Sequence, residues 1–376
     1  MDERVWREQR AALNGGRARF GEVASGLYPD LPRVAGTPLL CSDGWIPGSP
    51  VPLGDVRLEW EERPAPPAVA APPDGLPDGY RTYSEAMAAL APPRVFEDRP
   101  SYRLLDVRLP VLRFGPARYF DGVDVGESVA HELVAHELAA REPAPHEPAA
   151  HEPAAHEPAA HEPAAHEPAA HESVAREPVA GTGGLPLRAR VGDPRDLARR
   201  PALCAITTLT VTTSGSYVLH WRDPAKVAHA GGLHQVMPVG VFQPLRDEPP
   251  DLWACMVREY AEELLGTAED YGDGFVQDEW PFHRAMTGAR DAGRLRPYFL
   301  GLGVDPLTFA LDLLTVVVID TDLFDDLFGG LVNVNAEGTV SLAPFDGTVP
   351  RPMQPAGAAA VALAWRHREA LGLTRG

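Results

Sequence analysis

Arg258-Glu259-Tyr260-Ala261-Glu262-Glu263-Leu264-Leu265-Gly266 packs three glutamates and an arginine into six consecutive positions. Around it, Leu252, Trp253, Met256, Val257, Tyr260 and Leu264 recur with the 3.6 period. That spacing predicts one amphipathic helix over 252–265, with the apolar stripe against a core. On it Glu259 lies three residues from Glu262 and four from Glu263, so the carboxylates can share a face. Like charges at that spacing repel, and folding does not ask for them. A divalent cation would make the cluster favourable, because hard ions such as Mg²⁺ take carboxylate oxygens. The plain alternative is a glutamate-rich helix face that water solvates.

Working outward, Leu203 to Thr212 is rich in β-branched residues and reads as a strand, and Tyr217 to Trp221 as another. Gly215-Ser216 makes the hairpin between them, and Gly231-Gly232 a further turn. Gln235 to Phe242 is a third strand, broken by Pro238. Downstream, Phe309 to Asp320 reads as a helix-like start that ends as a buried strand. Val340 to Ala343 is a short strand and Ala356 to Leu371 a closing helix. The expected fold class is α/β (α+β), a mixed sheet sandwiched by helices, occupying 181–376. A strand over Tyr102–Val111, within segment 96–125, is expected to join it.

The remainder divides by composition. Residues 1–95 form an N-terminal accessory region, turn- and proline-rich. It contains a helix over Glu3–Leu13 ended by Asn14-Gly15-Gly16, a linker over Pro64–Pro77 and a short helix over Tyr80–Leu90. Residues 126–180 repeat every five positions, and the five units from His146 to Ala170 are identical, His-Glu-Pro-Ala-Ala. Proline in most units removes an amide donor and blocks helix. With no large apolar side chain from Ala139 to Ser173, a disordered, polyproline-like linker is expected. It holds 8 of the 13 histidines, which suggests weak metal or pH-dependent binding if it is more than a tolerated expansion.

The segment around Arg258 resembles the core of the box that defines Nudix hydrolases. That family's pattern is glycine, five residues, glutamate, seven residues, then Arg-Glu-apolar-x-Glu-Glu-x-Gly-apolar. Arg258, Glu259, Tyr260, Glu262 and Glu263 match, and Met237-Pro238-Val239-Gly240-Val241-Phe242-Gln243-Pro244 looks like the strand and loop leading into the box. Three departures stand beside the match. The earlier glutamate is Pro250 here, the loop from Gly240 to Arg258 is longer, and the helix ends one residue later, at Gly266. Asp247 and Glu248 lie in the longer loop as possible substitutes.

The resemblance implies that Glu262, Glu263 and Glu259 hold Mg²⁺ or Mn²⁺, with the Gly240 carbonyl a further metal ligand. It implies a catalytic role for Glu259 in orienting the attacking water. Arg258 supports that role, pairing with Glu262 now that its family partner is missing. Glu279, Asp320 and Asp322 are candidates for a later carboxylate. The implied activity is metal-dependent hydrolysis of a nucleoside diphosphate linked to another group. The alternative is a catalytically inactive Nudix-fold module that binds a nucleotide-type ligand. A third possibility is an interaction protein tethered through the pentapeptide tract.

Charge and composition narrow the partners. At −19 the chain lacks the basic stripe of a nucleic-acid binder; Arg188, Arg190, Arg195, Arg199 and Arg200 are interrupted by Asp193 and Asp196. The most apolar run, Leu313 to Ile319, is too short to span a bilayer, so no membrane partner is expected. Cys41, Cys204 and Cys255 show no ligand spacing, and with no signal peptide evident the expectation is reduced thiols in the cytoplasm. The alanine, proline, arginine and glycine bias resembles that of high-GC bacterial proteins. His220, His229 and His234 lack zinc-ligand spacing. Neither a serine-hydrolase elbow nor a P-loop is present, and no organic cofactor is implied.

Overall fold

The computed structural model describes residues 1–70, 75–93, 96–141, 182–222, 232–246, 248–267, 271, 272, 274–329 and 338–373. Helix α1 (Glu3–Gly15) starts at Asp2, whose carboxylate takes the amides of Arg4 and Val5. It gives way to α2 (Arg17–Gly26) at Gly16, where a Cβ would collide with the Phe20 ring. Two short strands follow, β1 (Val51–Pro52) and β2 (Arg57–Trp60). Helix α3 (Tyr83–Leu90) is capped by the Thr82 hydroxyl on the Glu85 amide. Strands β3 (Pro100–Arg108) and β4 (Val111–Arg118) then lead into α4 (Tyr119–Ala139) and α5 (Pro186–Val191).

The remaining elements are β5 (Cys204–Thr212), β6 (Ser216–Arg222), β7 (His234–Val236), β8 (Val239–Val241), α6 (Leu252–Leu265) and α7 (Pro281–Asp291). After them come β9 (Leu295–Val304), β10 (Leu311–Ile319), α8 (Thr321–Phe328), β11 (Gly338–Pro344) and α9 (Pro355–Arg366).

The main sheet runs β1-β9-β10-β5-β6-β11. Its β10 and β5 are parallel, and its other pairings are antiparallel. The β5-β6 hairpin pairs at Val211 and Tyr217, and the stretch broken at Pro238 fills the space beyond. Its first half, β7, pairs with β6, and its second half, β8, pairs with β5. The proline marks where the chain crosses from one strand of the hairpin to the other.

Adjacent residues on a strand face opposite sides. Thr210 accepts or donates a 2.6 Å hydrogen bond with the Tyr260 hydroxyl of α6. On the other face, Tyr217, cross-strand from Val211, packs on Phe345, which packs on Trp365 of α9. Helices α6 and α9 thus cover opposite faces of a mixed α/β layer structure. With both faces covered, Leu313 to Ile319 can be apolar at every position but Thr315; Val316, Val317 and Val318 are all fully buried. Tyr28, Val34, Leu39 and Leu40 from the N-terminal region sit in this same core. Residues 39–46 lie tight along β9, where a Cβ at Gly301 or Gly303 would meet the Trp45 or Leu40 carbonyl.

Three expectations are corrected. Phe309 to Asp320 has no helical start: Phe309 closes a turn on the Asp305 carbonyl with φ 60°, and strand begins at Leu311. The strand expected over Tyr102–Val111 is two strands, turned at Leu109-Pro110, in a separate three-stranded sheet of order β2-β4-β3. That sheet touches the main one through Arg103 and Leu203. Finally, the five-residue pattern does not begin as linker at 126. Helix α4 continues to Ala139, because these first units carry valine and leucine and meet no proline before Pro143. The identical units lie outside the described residues.

Candidate functional site

The glutamate helix is fixed at both ends by its own sequence. Asp251 caps α6 by accepting the Ala254 amide at 2.9 Å. Gly266 closes it in the left-handed region at φ 68°, as its position predicts. Leu252, Met256, Val257, Tyr260 and Leu264 are buried against the sheet. The same helical phase puts Arg258 at 7% exposure and leaves Glu259, Glu262 and Glu263 half-buried. The glutamates are therefore not a fully solvated stripe.

Each carboxylate meets a different neighbour. Glu259 lies directly over Gly240 of β8, where even a methyl group would overlap its carboxylate. Glu263 reaches one residue upstream and accepts the Val239 amide at 3.1 Å. Glu262 points the other way and accepts the Tyr271 hydroxyl at 2.5 Å. Burial, and then the Glu262 carboxylate, raise the Tyr271 pKa, so its proton stays on the phenol.

Arg258 does not take Glu262 as its ion pair. It donates to Gln277 Oε1 at 2.7 Å and to the Gln243 carbonyl at 2.9 Å, and its ion pair is with Glu248 at 3.8 Å. Arg258 is nearly buried under the loop packed on the helix, whereas Glu262, one turn on, is only half-buried and turns to Tyr271. Glu248 occupies the lengthened loop, two residues before Pro250. The Tyr102 hydroxyl donates to the Glu248 carbonyl at 3.0 Å, tying this loop to β3. Gln277 in turn donates to the Ala254 carbonyl at 2.7 Å. Arg246 holds the opposite rim, donating to the carbonyls of Gly272 and Phe275, both at 2.6 Å.

These loops enclose a cavity of about 320 Å³. Arg99, Pro100, Arg258, Glu259, Glu262 and Tyr271 line it, together with Gln243, Pro244, Leu245 and Gly272. The structure thus brings Arg258, Glu259 and Glu262 to one wall, with Gly240 behind Glu259. Glu263 is turned to the backbone of β8 and is not in the lining. Asp320 and Asp322 both pair with Arg294, and Glu279 sits in a short turn over Gln277–Glu279; none of the three lines the cavity. Asp247 and His229 lie outside the described residues.

Cation binding asks for several oxygens converging on one point. Among the described residues no group of three or more His, Cys, Asp or Glu side chains has that arrangement. The carboxylates of α6 diverge to an amide, a phenol and a glycine, so the donor set in this geometry does not form a cation cage. The three cysteines are free and buried; burial pushes the Cys255 thiol up to about 12.

Sequence reasoning missed Tyr271, Arg99 and Gln277. Tyr271 stands in a turn-like run, Asp270-Tyr271-Gly272-Asp273-Gly274, a signal only for a loop. Arg99 reaches the site from the residue just before β3, and no local pattern announces it. Among the described residues no helix is long and apolar enough to cross a membrane. No model of a known protein family matches the chain, and no curated protein matches it.

Proposed function

We propose that the chain carries a Nudix-like α/β domain that binds a nucleoside-type small molecule beside α6 without turning it over. The observation behind this is the shared lining: Arg258, Glu259 and Glu262 open on one cavity of about 320 Å³ with Tyr271 and Gln243. That size falls within the range of small-molecule pockets. Carboxylates and a glutamine carbonyl accept hydrogen bonds, which suits the hydroxyls of a ribose and the amino groups of a base. The same carboxylates repel a bare diphosphate. Pro250 stands where the family has a glutamate, and the α6 carboxylates do not converge; both favour binding over catalysis.

A second reading is metal-dependent hydrolysis of a nucleoside diphosphate linked to another group, with Mg²⁺ or Mn²⁺. It is favoured by Glu259 and Glu262 opening on the same cavity. Calorimetric titration with adenosine and with ADP-ribose, each with and without Mg²⁺ or Mn²⁺, separates the two. The expected result is metal-independent binding that a Glu259→Gln/Glu262→Gln variant weakens at least about tenfold, with no product by ³¹P NMR. Metal-dependent release of phosphate esters would replace binding with hydrolysis. No binding of either probe, with or without metal, would remove both readings.

A further inference from the structure

A larger cavity, about 470 Å³, lies away from α6. It shares no lining residue with the first. One wall is the segment after β2, which carries Pro64, Pro66 and Pro67. This wall is fixed at both ends. The Glu61 amide donates to the Phe114 carbonyl at 2.8 Å, and the Ala68 and Val69 amides donate to the Ala198 and Arg199 carbonyls at 3.0 and 2.7 Å. The facing wall is β4 and the first turns of α4.

Five ionisable residues line this space, Glu62, Arg63, Arg103, Asp121 and Asp124; the two that are buried, Arg103 and Asp124, have no ion pair among the described residues. Arg103 of β3 is 5% exposed; it donates to the Ala65 carbonyl at 2.9 Å and the Leu197 carbonyl at 3.4 Å, and its Nε has no acceptor. A guanidinium has five N–H donors in a fixed fork, so two carbonyls leave it unsatisfied in hydrogen bonding, and Asp121, the carboxylate that acts on its charge, is not within ion-pair distance. Asp124 of α4 is 7% exposed; it accepts the Ser84 amide at 2.7 Å and pairs with no cation. Buried charges in folded proteins are ordinarily paired, and an exception calls for an explanation. Arg103 and Asp124 do not pair with each other either, although both face one cavity.

We propose that this cavity binds a small zwitterion of dipeptide size, its carboxylate set against Arg103 and its ammonium against Asp124. The pyrrolidine rings of Pro64, Pro67, Pro116 and Pro201 supply a stiff apolar lining for the carbon skeleton between the two charges. A neutral apolar ligand would leave both charges unpaired. A plain anion would satisfy Arg103 but meet Asp124, Asp121 and Glu62 with like charge.

The test is titration of the full chain with free alanyl-alanine, alanyl-valine and alanyl-phenylalanine, read by calorimetry and by amide chemical shifts. At least one should bind at submillimolar concentration, with shifts mapping to β3 and the start of α4. Its N-acetyl and C-amide forms, titrated into the unaltered chain, should each bind at least about tenfold more weakly. Asp124→Asn keeps an acceptor for Ser84 and should weaken the free dipeptide to a similar degree. If no dipeptide binds at millimolar concentration, or if the blocked forms bind as well as the free one, the proposal fails. The blocked forms keep the test decisive even if Asp124→Asn does not fold.

Discussion

Helices α4 and α6 both carry ionisable side chains at helical spacing, and they deal with them in opposite ways. On α4, Glu127 is 8% exposed and is gripped by two guanidiniums. Arg17 donates to both of its oxygens, at 3.0 and 2.8 Å, and Arg10 bonds to the same carboxylate. One turn along, His131 stacks on Trp6 and lies 2.9 Å from both the Tyr83 hydroxyl and the Gln9 amide oxygen. On α6 the half-buried Glu259, Glu262 and Glu263 meet a glycine, a phenol and an amide. The difference is one of burial. A carboxylate taken fully from water needs countercharge, whereas one left at a cavity rim keeps part of its hydration and can exchange it for a ligand.

The largest expected effect breaks the α4 side. Glu127→Gln leaves Arg10 and Arg17, at 1% and 6% exposure, without their carboxylate. Urea denaturation should show a loss of about 3–5 kcal/mol, the usual consequence of orphaning a buried charge. A loss below that range would mean the cluster is wetter than its burial implies, and the contrast with α6 would weaken.

Next in size is a pH effect on the same helix. Burial first, and then the Arg10 charge, hold the His131 pKa down at about 4 against the opposing pull of Glu127. The unfolded chain therefore binds the extra proton more readily between about pH 6.5 and pH 4, and stability falls as pH drops through that window. The expected loss is about 3 kcal/mol between pH 7 and pH 4, and His131→Gln should flatten that slope. An equal slope in the variant would assign the acid sensitivity elsewhere.

The smallest effect belongs to α6. Glu262→Gln keeps an acceptor for Tyr271, so stability should change by less than about 1 kcal/mol. A loss comparable to that of Glu127→Gln would erase the distinction between a structural and a ligand-facing carboxylate.

The two helices also differ in how far their sequences could be read. Leu252 to Leu265 declared itself: a clean apolar period and a glycine stop agree, and α6 has those bounds, with Asp251 found capping its start. Helix α4 was hidden because its last fourteen residues, from Gly126 to Ala139, belong to a five-residue pattern whose later units contain proline. Its histidine and glutamate look like repeat residues until Trp6, Tyr83, Arg10 and Arg17 are placed around them. Strand β9 escaped notice because Gly301 and Gly303 break its apolar alternation. Those glycines answer to the backbone of residues 39–46, which no local signal in β9 can show. At the candidate site, Arg258, Glu259 and Glu262 were legible from local spacing, while Tyr271, Gln277 and Arg99 were not.

What the sequence determined by itself was local: the α6 helix and its glycine stop, the proline break between β7 and β8, and the buried valine run of β10. These follow from short-range sterics and from hydrophobic period, which act within a few residues. The tertiary structure decided which charges are buried together, that Glu248 faces Arg258 across a lengthened loop, and that the three glutamates of α6 part company. Such outcomes depend on which distant segments the packed core brings within a few ångströms, and side-chain spacing along one helix carries no information about that.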